Sequence, residues 1–302
     1  MKFTIFLKRL AAFAIIFLLI DYTASIWMLK GLNKFYGFDN KPEILINGSS
    51  MTLSGFHRTD IEKKTAKRVC VYAKEGVGVE DRYAMLAQFF SEHPGTVKTV
   101  IYEVNPLLFS SKLTAANTYT IFYPFFDNKA INQYIKERAG TADYLVHKYC
   151  RAARFDALTI NFVLKGYMNN YDNFKTSVLN TETTYFPKEE FGKVMIENNT
   201  GKLNVFEKTM QLLTDNDTRV VLVMMPIYYQ KQATFDSSSY NKLVAFYRNY
   251  TSTNKNVTYL DLNTSELSHN ALLFSDLLHL NREGQKKITE SISEFLKKPA
   301  GI

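Results

Sequence analysis

Two short segments, far apart in the chain, contain residue types that can perform nucleophilic chemistry together. The first is Gly48-Ser49-Ser50, in which two serines follow an apolar run and a glycine that permits a tight turn. The second is Asp276-Leu-Leu-His279, near the carboxyl end. In an Asp-x-x-His spacing the carboxylate can hold one ring nitrogen and leave the other to take a proton from a serine. We therefore predict that one of the two serines, Ser50 or Ser49, is a nucleophile and that His279 and Asp276 form its base system.

Each segment alone also has a structural interpretation. Gly-Ser-Ser turns are common, and a histidine ahead of a helix is most often a solvent-exposed residue. Ser49 is the alternative nucleophile. The other histidines lack the Asp-x-x spacing and are interpreted as structural or surface residues; they are His57, His93, His147 and His269.

The elements that must position these segments are predicted from apolar runs rich in Val and Ile. The predicted strands are Glu43–Asn47, Arg68–Ala73, Val97–Val104, Arg219–Met225 and Val257–Leu262. Such nearly continuous apolar runs are typical of parallel strands buried on both faces. Amphipathic helices lie between them, for example Val79–Glu92, and a last helix begins near Asn281. This alternation predicts an α/β fold with a doubly wound parallel sheet and a ligand site outside the carboxyl ends of the strands.

The turns after the first three predicted strands carry a family resemblance. Ser50 follows the first strand, Gly76 follows the second, Asn105 follows the third, and Asp276 with His279 precedes the last helix. In this order and context the sequence resembles the SGNH (GDSL-like) hydrolase superfamily. The resemblance implies a three-layer flavodoxin-like sandwich with a parallel sheet of about five strands.

What the resemblance implies about chemistry is an acyl-transfer site. Ser50 would attack an ester carbonyl while His279 takes its proton, and water or a sugar hydroxyl would resolve the acyl-enzyme. The oxyanion hole would consist of the backbone N–H groups of Ser50 and Gly76 and the side-chain amide of Asn105. Gly78 is the alternative to Gly76.

Three positions depart from the pattern of the family. Ser49 stands where an Asp is usual, Glu103 stands where a Gly is usual, and Pro106 replaces a common Asp. The family register places the reactive serine third, which favours Ser50 over Ser49. The departures are similar to those of membrane-anchored acyltransferase branches, including relatives of the teichoic-acid D-alanyl transfer protein and of alginate O-acetylation proteins.

The amino-terminal segment predicts a membrane anchor. Lys8 and Arg9 precede an apolar stretch, and the segment Leu10–Leu29 has the roughly 20-residue length that a spanning helix needs. The positive-inside tendency then places the N-terminus in the cytoplasm and the rest of the chain outside. A cleaved signal peptide with a weak site near Thr23-Ala24-Ser25 is the alternative.

Asp21 is unusual inside such a segment, because a carboxylate in a membrane helix is costly unless it faces a partner, water or the interface. Either the helix is short and Asp21 lies near its outer end, or Asp21 contacts a polar group of a multi-spanning partner. The sequence leaves both interpretations open.

We expect three parts in the chain: an anchor at residues 1–30, a linker at 31–42 and a catalytic domain at 43–298. The domain is interrupted by a helical insertion at about residues 110–204, interpreted as a lid or a substrate-binding cap, or else as an enlarged crossover. The helices predicted inside it are Asn128–Arg138 and Thr141–Leu164.

The expected function is that of an extracytoplasmic O-acyltransferase in a bacterial cell membrane, acting on a cell-envelope or exported polysaccharide. A tether raises effective concentration, which suits a relay from a multi-spanning acyltransferase partner more than it suits a hydrolase. The alternatives are a membrane-tethered esterase or deacetylase and a non-catalytic assembly subunit.

Composition argues against other classes of protein. The net charge is +8, but the basic residues are scattered over the 302-residue chain, which argues against nucleic-acid binding. The two cysteines, Cys70 and Cys150, are too few for a disulfide framework and lack zinc or redox spacing. We expect no metal and no cofactor, because no cluster of His, Asp or Glu has ligand spacing.

Overall fold

The computed structural model of the protein describes residues 2–109, 117–173, 175–181 and 200–298. The chain divides into two compact units. The helical unit comprises Met1–Tyr36 and Tyr119–Asn170, and the sheet unit comprises Gly37–Thr118 and Tyr171–Ile302.

The sheet unit contains a five-stranded parallel sheet, as the sequence predicts. Its strands are β1 (Ile44–Gly48), β2 (Val69–Ala73), β3 (Thr99–Val104), β4 (Arg219–Met224) and β5 (Val257–Asp261). The spatial order is β2-β1-β3-β4-β5. Every residue of β1, β2 and β3 is buried, which explains why the sequence shows continuous apolar runs here instead of alternation. The prediction of an α/β fold is confirmed.

Helices connect the strands and form most of the helical unit. The α-helices in the described residues are α1 (Lys2–Tyr36), α2 (Ser50–Gly55), α3 (Arg58–Thr65), α4 (Val79–Glu92), α5 (Lys129–Lys136), α6 (Thr141–Tyr149), α7 (Ala157–Tyr167), α8 (Thr200–Asp215), α9 (Tyr229–Gln232), α10 (Ser237–Thr253), α11 (Ser265–Ser268) and α12 (Arg282–Lys297). Short 3-10 helices lie at Phe38–Asn40, Thr118–Phe125, Ala152–Arg154 and Ala271–Leu273.

The order of the strands creates a crevice at the carboxyl end of β1. From β1 the chain crosses to β2 on one side, and β3 then pairs with β1 on the other side. Gly48, the last residue of β1, is level with Ala73 of β2, and Asn47 is level with Tyr102 of β3. The turns that follow these three strands therefore meet at one edge of the sheet, where α/β proteins bind their ligands.

The last helix begins as predicted, and its cap explains why. The Asn281 side chain accepts hydrogen bonds from the backbone N–H groups of Glu283 and Gly284, which satisfies free donors in the first turn of α12. Ile288 and Ile292 are buried on its inner face. The cap fixes the end of the loop that contains the predicted base.

In the helical unit, α1 packs closely against α7. A side chain at Gly166 would lie 2.0 Å from the Gly31 carbonyl oxygen, so glycine is required for the two backbones to approach this closely. Trp27 stacks on Tyr167 with ring centroids 4.7 Å apart, and the Tyr167 hydroxyl donates to the Trp27 carbonyl at 2.8 Å. The second half of α1 is thus part of a folded unit.

Two predicted segments differ from the structure here. Helix α1 continues to Tyr36, so the first half of the expected 31–42 linker is helical, and its residues Leu32 and Phe35 are buried. The single helix predicted at 141–164 is two helices, α6 and α7, separated by a break. At the break the Asp21 carboxylate accepts the backbone N–H groups of Arg151 and Ala152, which therefore do not continue a helix.

Helix α1 is long and apolar enough to span a membrane. Its side chains are exposed from Phe3 to Ile20, whereas Asp21 is buried. Part of the expected insertion, namely residues 110–116, 174 and 182–199, lies outside the described residues. The lid and substrate-binding cap interpretations remain predictions.

Candidate active site

The structure brings Ser50, His279 and Asp276 into one hydrogen-bonded chain. The Ser50 hydroxyl lies 2.8 Å from Nε2 of His279. Nδ1 of the same ring lies 2.8 Å from Oδ1 and 2.9 Å from Oδ2 of Asp276. With the carboxylate on Nδ1, the ring proton belongs on that nitrogen, and Nε2 is left to accept the serine proton. This arrangement is suited to general-base activation of a serine.

Ser50 is presented by the turn between β1 and α2. Ser49 caps α2, with its hydroxyl accepting the Met51 N–H at 3.3 Å, and Ser50 is the first helical residue. Gly48 ends β1, and a side chain there would lie 1.8 Å from the Thr52 hydroxyl and 2.5 Å from a Glu103 oxygen. Gly48 is therefore required because the turn has no room for a side chain, and not only because glycine permits a tight turn.

The loop before α12 is closed around Asp276. Oδ1 of Asp276 accepts the backbone N–H groups of Leu278 at 3.0 Å and His279 at 2.9 Å. The Ser275 N–H and hydroxyl both donate to the His279 carbonyl, at 2.9 and 3.1 Å. These bonds hold the imidazole and the carboxylate in a fixed relation within one turn of chain.

Lys175 is a member of the site that the sequence analysis did not identify. Its ammonium group lies 2.9 Å from Oδ2 of Asp276, whereas the Leu278 and His279 N–H groups bond to Oδ1. Burial alone raises the pKa of Asp276, but hydrogen bonds from His279, Lys175 and the Leu278 N–H together hold that pKa below its ordinary value. Asp276 therefore remains ionised when the imidazole accepts a proton.

Glu103 is fully buried, and its carboxylate gathers the donors of this edge of the sheet. Oε2 accepts the Ser49 N–H at 2.7 Å, the Ser49 hydroxyl at 2.9 Å and the Thr52 hydroxyl at 2.6 Å. Oε1 accepts the Asn105 side-chain amide at 2.6 Å. The Arg82 guanidinium, also fully buried, forms an ion pair with Glu103 at 3.1 Å.

The charge of Glu103 is stabilised by these partners. Burial raises the pKa of Glu103, but Arg82 and the hydrogen bonds from Thr52, Ser49 and Asn105 outweigh burial and lower it. Arg82 also donates to the Glu103 backbone carbonyl at 2.7 Å, so the guanidinium is bonded to both the main chain and the side chain of this residue of β3. A buried carboxylate is tolerated only when it is paired and hydrogen-bonded in this way.

The predicted oxyanion-hole residues surround the same space. Gly76 has a left-handed backbone with φ of 72°, a conformation that favours glycine, and it lines the cavity beside Ser50. Gly78 also lines the cavity, but its N–H donates to Asp81 at 2.9 Å and closes the first turn of α4. Asn105 is oriented at both ends of its amide, since its oxygen accepts the Leu107 N–H at 2.8 Å.

The cavity in front of Ser50 has a volume of about 240 Å³. Its polar groups are contributed by the serine turn, by Asn105 and by His279. The remaining wall is apolar and consists of Met51, Val77, Leu107, Leu108 and Leu278. Within the described ranges, no group of three His, Cys, Asp or Glu side chains is placed to hold a metal ion.

Comparisons with known proteins find likeness in solved structures only. No protein-family model and no curated protein sequence matches the chain. A Bacteroides fragilis protein described as a candidate acylhydrolase matches with a TM-score of 0.39 and 13% identity, over 84% of this chain and 87% of that one. A Streptococcus pneumoniae protein described as a candidate platelet activating factor matches with a TM-score of 0.40 and 14% identity, over 91% and 97%.

A third solved structure, a gut microbial diltiazem-metabolizing enzyme, matches with a TM-score of 0.28 and 11% identity. That match covers 84% of this chain, which spans 46% of the enzyme's length. TM-scores and sequence identities as low as these do not indicate a function for this chain.

Replacing Glu103 by Gln removes the charge that compensates Arg82. We expect the free energy of unfolding at neutral pH to fall by about 3 kcal/mol, because an unpaired buried charge remains. The lowered pKa of Glu103 means that its stabilisation is present above its unfolded pKa, about 4.3, and is lost as the pH falls through the lower folded value. Wild-type stability should therefore decline more steeply than that of the variant below about pH 4.

Chemical denaturation of the full chain in detergent micelles, followed by circular dichroism at several pH values, measures both effects. Glu294→Gln is the matched control, since Glu294 is exposed on α12. Equal stability losses in the two variants would contradict a special role for the buried carboxylate.

Proposed function

We propose that the chain is a serine-dependent O-acyltransferase, held at the outer face of a bacterial membrane by α1, that modifies a polysaccharide of the cell envelope. The observation that carries the proposal is the hydrogen-bonded chain from Ser50 through His279 to Asp276. A serine in hydrogen-bond reach of an imidazole that is itself oriented by a carboxylate is the recurring arrangement of nucleophilic acyl transfer.

In the proposed reaction the Ser50 oxygen attacks the donor ester carbonyl while its proton passes to Nε2 of His279. The tetrahedral intermediate collapses, the donor's leaving oxygen takes that proton, and the acyl group remains on Ser50. An acceptor hydroxyl then gives its proton to Nε2 of His279 and attacks the acyl-enzyme carbonyl. The second tetrahedral intermediate releases the ester product as the bond to the Ser50 oxygen breaks, and that oxygen takes the proton back from His279. Asp276 stabilises the imidazolium formed in each half-reaction.

Three donors are proposed to hold the developing oxyanion: the N–H of Ser50, the N–H of Gly76 and the amide of Asn105. Gly76 is preferred to Gly78 because the Gly78 N–H already donates to Asp81. Among the described residues Asn105 uses its oxygen and one amide hydrogen, and the second amide hydrogen is proposed to bind the substrate. Donors fixed in advance are the most effective kind, since no reorganisation is needed during reaction.

The acyl group is proposed to be short and uncharged. The apolar side of the cavity suits an alkyl chain of limited length, while the polar side contains the reacting groups. The tether supports transfer over hydrolysis, because holding the site next to a membrane-borne acyl donor raises its effective concentration. A multi-spanning membrane acyltransferase is the partner proposed to supply the acyl group.

The test of the proposal uses the full chain in detergent with para-nitrophenyl acetate as donor, with and without a neutral oligosaccharide. We expect slow release of nitrophenolate in water alone, faster release with the acceptor, and an acetylated oligosaccharide by mass spectrometry. Ser50→Ala should reduce release by more than about 10³-fold. Ser49→Ala, the matched control, should retain measurable transfer because the nucleophile is unchanged.

Each contrary result has a distinct meaning. Rapid release to water that no acceptor changes would identify a tethered esterase instead of a transferase. Release that survives Ser50→Ala but not Ser49→Ala would overturn the choice of nucleophile. Undiminished polymer acylation in cells that carry only Ser50→Ala would indicate a non-catalytic assembly subunit.

Lys175 is proposed to position Asp276. Lys175→Ala should lower kcat/KM by about two- to fivefold, the range expected for a half-exposed ion pair worth up to ~1 kcal/mol. Lys175→Arg should keep most of the activity, because the charge is retained. Since salt screens exposed charges, the difference between wild type and Lys175→Ala should shrink at high ionic strength. A salt-independent difference would point to packing instead of charge.

A further inference from the structure

Helix α6 carries an apolar stripe on its exposed side. Ala142, Leu145, Val146 and Tyr149 follow the i, i+3, i+4, i+7 spacing of one helix face. Leu145 is 43% exposed, Val146 52% and Tyr149 67%. In a water-soluble helix such a stripe normally faces the core, so a continuous exposed stripe marks a surface that is covered by something else.

The position of α6 along α1 is fixed by Asp21. The residues directly after α6 bring the backbone N–H groups of Arg151 and Ala152 within 2.8 and 2.7 Å of the Asp21 carboxylate. The Arg151 guanidinium lies over the ring of Tyr22, at 5.0 Å from its centroid. The carboxyl end of α6 therefore lies beside α1 at the level of residues 21 and 22.

Residues 21 and 22 are expected to lie within the hydrocarbon core of the membrane. Arg9 is the last basic residue before the apolar run, and Asp21 follows it by 12 residues, or about 18 Å at 1.5 Å per residue. The hydrocarbon core of a bilayer is about 30 Å thick. Trp27, half-exposed and stacked on Tyr167, is suited to the outer interface, where aromatic side chains concentrate.

The environment of Asp21 is consistent with that depth. A carboxylate surrounded by lipid needs partners from the protein, since no water is present to solvate it. Asp21 is buried and accepts two backbone N–H groups, and the Cys150 thiol lies 3.6 Å away. Lys148 is exposed on α6, with its ammonium 5.4 Å from the centroid of the Tyr149 ring, and a lysine at this place can bury its alkyl stem along an apolar surface while its charge stays solvated.

We propose that α6 lies in the outer leaflet of the membrane beside α1, with its apolar stripe in contact with lipid acyl chains. This inference rests on the membrane location in the proposed function and extends it, because the helical unit then has two membrane contacts instead of one. A lipid surface is preferred to a protein occupant because the residues that directly follow the stripe are hydrogen-bonded to the apolar helix α1 at Asp21, and because the stripe is accompanied by an exposed lysine.

The test places a bimane fluorophore at single cysteines in the full chain, reconstituted in nanodiscs of phosphatidylglycerol and phosphatidylcholine. The background is Cys150→Ala, and Cys70 is buried and remains unlabelled. Val146→Cys reports on the stripe, Ile16→Cys reports on the exposed face of α1, and Asn241→Cys on α10 is the aqueous control. Fluorescence is compared in ordinary lipids and in lipids brominated near the top of the acyl chains.

We expect brominated lipid to quench the probe at Val146→Cys to an extent comparable with Ile16→Cys, with no loss at Asn241→Cys. Quenching at Ile16→Cys but not at Val146→Cys would overturn the inference and leave the anchor intact, with water or a partner protein as the occupant of the stripe. Absence of quenching at both positions would instead contradict the membrane location itself.

Discussion

The candidate site depends on one buried carboxylate. Glu103 joins four parts of the sheet unit, because its oxygens accept donors from the β1–α2 turn, from α2 and from the residue after β3, and Arg82 of α4 pairs with its charge. Water cannot replace these partners at a site this deeply buried, so the strand ends must stay in register for the charge to be tolerated. The same bonds orient Asn105 and the turn that presents Ser50.

Two carboxylates thus serve the site in different surroundings. Glu103 has a lowered pKa because a guanidinium and several donors outweigh its burial, and it makes no contact with the imidazole. Asp276 has a lowered pKa because the imidazole, Lys175 and backbone N–H groups outweigh its partial burial. Both remain ionised at neutral pH, one to hold the frame of the site and the other to orient and stabilise His279. The division of roles follows from burial and partners, since the residue types are so similar.

Much of the fold and of the candidate site could be predicted from the sequence, and the exceptions have physical reasons. Continuous runs of Val and Ile predict the buried strands, and the sheet has them. The Asp-x-x-His spacing is local, and the turn after the first strand presents the serine, so the sequence predicts that Ser50, Asp276 and His279 lie together, as they do in the structure. The place of Glu103 could not be predicted, because it depends on the pairing of β1 with β3 and not on its neighbours in sequence. Lys175 lies 101 residues from Asp276 in a segment without a pattern. The break between α6 and α7 depends on Asp21, which is 130 residues from Arg151.

The central claim is that the hydroxyl of Ser50 is activated by His279, and labelling with a fluorophosphonate measures this most directly. The reagent forms a bond between phosphorus and an activated serine oxygen and releases fluoride. Tandem mass spectrometry then identifies which serine is modified. The account predicts one phosphonyl group on Ser50 in the wild-type chain, none on Ser49, and much slower labelling in His279→Ala. Labelling elsewhere, or labelling of Ser50 that is unaffected by loss of the imidazole, would contradict it.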